Sequence, residues 1–235
     1  MEDFTHRSSE VEIMDTFSGT TEELETILKD INRVNKLLGG YKITLNAVFE
    51  MISSVFKESY TILDMGCAEG TMLRKLADEG RKRNIKLHLI GVDLNGQSLE
   101  LAQKYSIDYP EITYQKADIL TTNFSQMNID VVMTTLTLHH FTDEGVVQFV
   151  NRFVKLASMG VVINDLERSP IAYYLFKAFS FFFIKTEIAE KDGLLSVRRA
   201  FKMREFQDFA KQVKNATHHI RWKWAFRYIW VLKKK

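Results

Sequence analysis

Apolar residues recur at helical spacing early in the chain. Leu24, Ile27, Leu28, Ile31, Val34, Leu37 and Leu38 share one stripe, Thr20 and Glu23 form a capping box ahead of it, and Gly39-Gly40 supplies a stop. A second helical run over 43–56 turns Leu45, Val48, Phe49, Ile52 and Val55 inward. The period then changes. Thr61, Ile62 and Leu63 read as a short buried strand, 64–70 as a glycine-bearing turn, and Met72, Leu73, Leu76 and Ala77 as the inner face of a helix that stops at Gly80. Short apolar runs return at 86–95, 112–120, 128–135 and 160–164. The run at 128–135 leads into a helix capped by Thr142, with Val146, Val147, Val150, Phe153 and Val154 buried. Strands alternating with helices predict an α/β fold, a parallel sheet covered on both faces.

Later segments modify that plan. Residues 171–184, IAYYLFKAFSFFFI, are aromatic on nearly every helical face, so a buried or lipid-facing helix is expected. At about fourteen residues it is shorter than the roughly twenty a bilayer needs. Asp192-Gly193 reads as a turn, after which Arg198 and Arg199 in an extended segment point to opposite sides, one into the crevice. A helix over 202–213 buries Met203, Phe206, Phe209, Ala210 and Val213. Residues 217–232 alternate as two strands turning near 223–225, an antiparallel pair.

With 235 residues, 46% of them hydrophobic and 26% charged, one domain is expected over 20–235, preceded by a flexible segment over 1–19 in which Val11, Ile13, Met14 and Phe17 touch the body. A net charge of +2 gives no pull toward nucleic acid, and no basic stripe is evident. The single cysteine, Cys67, excludes an intrachain disulfide, and no apolar segment opens the chain, so a cytoplasmic location is expected.

The chemistry concentrates at strand ends. In YTILDMGCAEG, Gly66 and Gly70 let the backbone approach a ligand, and the next helix presents free N–H groups to it. The turn departs from the dinucleotide fingerprint G-x-G-x-x-G because Asp64 replaces the first glycine, which weakens an NAD(P)-dependent oxidoreductase. A carboxylate there repels phosphate and attracts a cation. Asp93 and Asp118 end the second and third strands, at the carboxyl edge where doubly wound sheets bind ligands. The alternative reading of each is a plain helix cap.

D-x-G-C-x-x-G at the end of a first strand resembles the first motif of class I S-adenosylmethionine-dependent methyltransferases. The resemblance implies a Rossmann-like mixed seven-stranded sheet with its last strand antiparallel, a helical lid over 20–58, and a substrate-covering insertion over 168–200 that contains the aromatic helix. It also implies S-adenosylmethionine as cofactor and S-adenosylhomocysteine as product. The cofactor would be held by Asp64, Gly66, Cys67, Ala68, Gly70, Asp93, Leu94, Asp118, Ile119 and Thr135, with Arg33, Tyr41 or Lys42 of the lid toward its methionine end. Arg33 and Lys42 read equally as solvated helix-end charges. No residue is assigned to a metal.

After the fourth strand, LTLHHF lacks the proline-rich tetrapeptide of amide and adenine N-methyltransferases and is similar to small-molecule methyltransferases, including those of ubiquinone and menaquinone synthesis. His140 is the first candidate for a general base and His139 the second, because histidine titrates near neutrality. Asp165, ending the fifth strand, either orients a substrate hydroxyl, pairs with one of these histidines, or forms a local ion pair with Arg168. EIMD, RVNKLLGGYKIT, NDLERSP and DGLLSVRRAF resemble bacterial methyltransferases associated with type III polyketide synthase pathways. That implies a small hydrophobic acceptor, phenolic or quinone-like, with an alkyl tail that 171–184 would meet, whether or not this helix also rests on a membrane surface. The competing readings are a non-catalytic S-adenosylmethionine-binding protein and a protein or RNA methyltransferase.

Overall fold

The computed structural model describes residues 3–119 and 121–235; Met1, Glu2 and Leu120, the last residue of the expected third strand, lie outside the described residues. Strands β1 (Tyr60–Met65), β2 (Leu87–Asp93), β3 (Ile112–Lys116), β4 (Val131–Thr135), β5 (Gly160–Leu166), β6 (Ala216–Lys223) and β7 (Arg227–Lys234) form one sheet in the order β3-β2-β1-β4-β5-β7-β6. β1 to β5 are parallel, and β7 runs antiparallel to both of its neighbours. The strand order reverses between β1 and β4, so their carboxyl ends open a crevice there.

Successive side chains of a strand face opposite sides, and both sides of the central strands are covered. Leu63, Val132, Phe153, Phe206 and Trp230 pack on one face, where α5 (Asp143–Leu156) and α8 (Met203–Gln212) lie. Ile62, Val131, Met133, Phe49 and Leu73 pack on the other, under α2 (Gly40–Ile52), α3 (Thr71–Lys82) and α4 (Gly96–Tyr105). This two-sided burial accounts for apolar runs without alternation. α1 (Thr21–Leu37) begins at the expected capping box, Thr20 Oγ1 accepting from Glu23 N–H and Glu23 accepting from Thr20 N–H, and packs on α2 and α4.

Several expectations are corrected. Only Leu38 and Gly39, the latter at φ +71°, separate α1 from α2, and α3 runs past Gly80 to Lys82. Residues 192–193 are not a turn: they lie inside α7 (Glu187–Arg199), which follows α6 (Pro170–Phe183). A Cβ on Gly193 would stand 2.4 Å from the Phe176 ring, so the glycine serves close packing of α6 on α7. Arg198 and Arg199 therefore leave a helix, not an extended segment.

α6 is not buried all round either. It bears on α7 and α1 alone among its closely packed neighbours, and Ile171, Tyr174, Leu175, Phe181 (80% exposed) and Phe182 (75%) face outward. Among the described residues no helix is long and apolar enough to cross a membrane.

The segment ahead of α1 lies fastened across the sheet's carboxyl edge, where a frayed tail was expected. Arg7 donates from Nη2 to the carbonyls of His139 (3.0 Å) and Phe141 (2.8 Å), from Nε to that of Arg199 (2.8 Å), and from Nη1 to Asp143 (2.6 Å). Ile13 and Met14 N–H groups donate to Asp192, each at 2.8 Å. Arg7→Ala strands these carbonyls; we expect a loss of about 1–3 kcal/mol, measured as a lower urea midpoint at unchanged slope, together with faster proteolysis ahead of α1.

Candidate active site

The glycine turn folds back over β2, Gly66 and Cys67 N–H groups both donating to Val92 O. Gly66 (φ +82°), Ala68 (φ +46°) and Gly70 (φ +74°) take left-handed conformations within five residues, and a Cβ at Gly66 would meet Thr137 Oγ1 at 2.6 Å. The non-glycine Ala68 costs about 1–3 kcal/mol in this region. Asp93 holds it there: Oδ2 accepts from Ala68 N–H (2.8 Å) and Oδ1 from Asn95 N–H (2.9 Å).

Three acids crowd this turn. Asp64 is 2% exposed and its Oδ1 has no hydrogen-bond partner among the described residues. Burial first, then Asp93 and Glu69, push its carboxyl up to about 8. Glu69, also buried, accepts from Asn32 Nδ2 (2.7 Å) and Thr71 Oγ1. Asp93 is raised by burial, opposed by the N–H groups it accepts, and burial pushes the Cys67 thiol upward. Such a pocket favours a cation.

A complementary group comes from the far end of the chain. Arg227 is 2% exposed; its Nη2 donates to Asn35 Oδ1 (2.7 Å), whereas Nε and Nη1 have no partner among the described residues. Burial lowers it to about 10. Its guanidinium passes so close to Gly40 that a Cβ there would stand 2.8 Å from Cζ. Nothing in the spacing of the carboxyl-terminal hairpin marked this arginine as different from its neighbours.

At the end of β4, Thr135 Oγ1 lies 3.1 Å from Thr44 Oγ1, and Leu136 takes φ +58°. Leu138–His140 form one 3-10 turn. Asp165 on β5 organises it: Oδ2 accepts from the N–H groups of Leu138 (3.0 Å) and His139 (3.3 Å), and Oδ1 pairs with His139 Nδ1 at 2.7 Å. Arg168 pairs instead with Glu205. His139 is 2% exposed. Burial works against its charged form, yet Asp165 and Glu12 outweigh burial and raise the imidazole to about 10. It is thus a poor proton acceptor near neutrality. His140, its side chain 24% exposed, turns Nδ1 toward Asp15 (3.0 Å) and Nε2 toward Glu12 (3.8 Å). Glu12 and Asp15 frame the EIMD motif, which carried a resemblance in sequence but no role for either acid, because an aperiodic stretch gives no spacing that sets them beside the histidines.

The other expected site residues divide. Cys67 sits buried in the turn, and Leu94 projects with an exposed side chain beyond Asp93. Asp118 is half-buried after β3, its carbonyl accepting from Thr121 and Thr122 N–H, and Ile119 is buried in the core on the α5 face. Arg33 is drawn away from the turn: Nη1 donates to Phe183 O (3.1 Å) and lies 3.6 Å from Asp30, fastening α6 to α1. Tyr41 hydrogen-bonds Asn32, and Lys42 lines a cavity of about 510 Å³ between α2 and the β6-β7 hairpin.

Residues 62–160 match a family model described as a methyltransferase domain. An uncharacterized methyltransferase of Oceanobacillus iheyensis is 23% identical over 193 residues, 79% of this chain and 82% of that protein. The plantazolicin methyltransferase BpumL, solved with a triazolic desmethylPZN analog and SAH, is similar in fold at a TM-score of 0.66 and 14% identity, covering 88% of this chain and 90% of its own. Magnesium protoporphyrin IX methyltransferase (ChlM) from Synechocystis PCC 6803, with bound SAH, gives 0.58 and 15%, over 86% and 87%.

The orphaned groups fit S-adenosylmethionine: an unpartnered acid among acids suits its cationic amino-acid end, and an unpartnered buried guanidinium suits its carboxylate. An ammonium held at this acid would favour ionised Asp64, so its carboxyl would fall from about 8 on binding and release a proton. Affinity for S-adenosylhomocysteine should therefore rise between pH 6 and 8, by at most about tenfold per unit, then level off; calorimetry on Asp64→Asn should lose that slope. Glycine turn, acids, strand order and the match over 62–160 agree: the chain carries a methyltransferase domain in the Rossmann-like methyltransferase fold and is an S-adenosylmethionine-dependent methyltransferase.

Proposed function

We propose that the enzyme methylates a small hydrophobic acceptor, at the hydroxyl of a phenolic or quinone-like compound in preference to a ring carbon. The observation that carries this reading is the adjacency of the cofactor turn and a proton-accepting cluster: Thr137 abuts Gly66, and His140 follows one short turn later. When bound, the cofactor supplies an electrophilic methyl on a sulfonium. The protein must hold a nucleophile in line, exclude water and accept a proton; positioning alone contributes about 7–11 kcal/mol. His140, the more accessible of the two histidines, accepts the proton, and Asp165 acts by holding His139 and the loop. Cofactor contacts are assigned to Asp64, Gly66, Cys67, Ala68, Gly70, Asp93, Leu94, Asp118, Ile119 and Thr135.

The acceptor's character is argued from α6, whose outward aromatic side chains offer an apolar surface for an alkyl tail and for peripheral contact with a membrane. Two enzymes of similar fold are named for plantazolicin and magnesium protoporphyrin IX, neither of them a macromolecular nucleic acid. A cytoplasmic setting accords with one buried free cysteine.

Two outcomes test the proposal. His140→Ala should lower turnover on a phenolic acceptor by about a hundredfold to ten-thousandfold while S-adenosylhomocysteine affinity holds; full turnover would remove His140 as the base. Across acceptors of increasing tail length, affinity should grow by about 0.8 kcal/mol per buried methylene, and the Phe181→Ser, Phe182→Ser double variant should flatten that series. A series flat in the parent enzyme would leave α6 without a role in acceptor binding.

A further inference from the structure

We propose that Glu12, His139 and His140 form a binding site for one divalent transition-metal cation of the zinc type. Their ligand atoms all lie within 4.8 Å of one another. His139 Nε2 stands 3.5 Å from Glu12 Oε1, and His140 Nε2 stands 3.8 Å from Glu12 Oε2. Donors around a tetrahedral ion at about 2.0–2.1 Å are separated by about 3.3 Å, so a small contraction brings these groups onto one cation.

The surrounding hydrogen bonds point the same way. Each histidine turns Nδ1 to a carboxylate, His139 to Asp165 at 2.7 Å and His140 to Asp15 at 3.0 Å. A carboxylate on Nδ1 fixes the tautomer that leaves the Nε2 lone pair outward, the arrangement in which histidine ligates metals. Both free Nε2 atoms then face Glu12. His139 Nε2 is buried and has no hydrogen-bond partner among the described residues. Protonated, it leaves a buried N–H without a well-formed bond; neutral, it sets a lone pair against a buried carboxylate. A cation satisfies either nitrogen and the carboxylate at once.

Charge and rigidity agree. Glu12, Asp15 and Asp165 bring three carboxylates, and Arg199, 4.0 Å from Glu12 and 3.6 Å from Asp15, brings one guanidinium, leaving two negative charges for a divalent ion. Arg199 donates to the carbonyls of His139 (3.2 Å) and His140 (2.9 Å), and Ser196 Oγ to Glu12 Oε1 (3.0 Å), which hold the ligand backbone and the carboxylate in place. Two imidazoles select zinc-like ions over magnesium or calcium, which prefer oxygen, and three protein ligands leave a position open. An acceptor oxygen is the group that position would take, and with an ion bound His140, its Nδ1 on Asp15 and its Nε2 on the metal, serves as ligand in place of proton acceptor; this last point rests on the methyl-transfer reading, and the site itself does not.

The test uses the full chain stripped with a chelator. Titration with Zn(II) by calorimetry and with Co(II) by visible absorption should show one saturable equivalent and the intense bands of tetrahedral Co(II). Loss of an outer carboxylate alone costs metal sites about 10–100-fold, so Asp15→Asn should weaken binding within that range and Glu12→Gln or His140→Ala beyond it. Each variant is checked for an unchanged far-ultraviolet circular dichroism spectrum and S-adenosylhomocysteine affinity, so that misfolding is not read as lost ligation. No saturable equivalent, or uptake equal to the parent in both Glu12→Gln and His140→Ala, overturns the proposal. A chain that binds no metal yet shows His140-dependent turnover would sink this site and leave the methyl-transfer reading standing; metal uptake without turnover would do the reverse.

Discussion

Asp165 is a fully buried carboxylate at the end of β5, and the loop after β4 is built on it. Its oxygens accept from the backbone N–H groups of Leu138, His139 and Leu166 and from the His139 ring. A buried acid is tolerable only when its hydrogen bonds and a counter-charge are supplied, and removing one partner of such a pair costs about 3–5 kcal/mol because the other is stranded. His139 is that partner, and its position fixes where His140 follows. The burial that would raise Asp165 is outweighed by His139, which keeps its carboxyl low.

Around this pair the amino-terminal strap closes. Arg7 and Arg199 both reach the His139 carbonyl, from opposite ends of the sequence, and the strap delivers Glu12 and Asp15 to the two imidazoles. The carboxyl end of the sheet thus receives two kinds of pocket side by side. One, at the glycine turn, collects acids that suit a cationic cofactor; the other, beyond β4, interleaves acids with histidines. Thr137 stands between them, its hydroxyl filling the space a Cβ at Gly66 would need.

α6 buries Ala172, Tyr173 and Ser180 and leaves Ile171, Tyr174, Leu175, Phe181 and Phe182 outward, surface that a core helix would hide. Contiguous exposed apolar surface on a chain of otherwise ordinary composition marks a place where something binds. Asp30 and Arg33 of α1 fasten the carboxyl end of this helix, with Asp30 Oδ2 accepting from Lys185 and Thr186 N–H groups at 2.8 Å.

The sequence alone determined what depends on local period and short spacing. Continuous apolar runs at Ile62–Leu63 and Val131–Val132 marked strands covered on both faces, the Thr20-Glu23 box opened α1, and Asp64, Gly66 and Gly70 marked a turn that admits a cation better than a phosphate. Tertiary structure decided what depends on neighbours distant in the chain. Asp15 lies 125 residues before the histidine it meets, in a stretch without period whose EIMD motif implies a relationship and no contact, so no local pattern could announce the pairing. Asp192-Gly193 has the composition of a turn, yet the missing Cβ admits Phe176 and the aspartate caps the strap, which keeps both residues in a helix. α6 has the composition of a buried helix and is exposed because few elements lie beside it. Burial is a property of the surroundings, which hydrophobicity along the chain only anticipates.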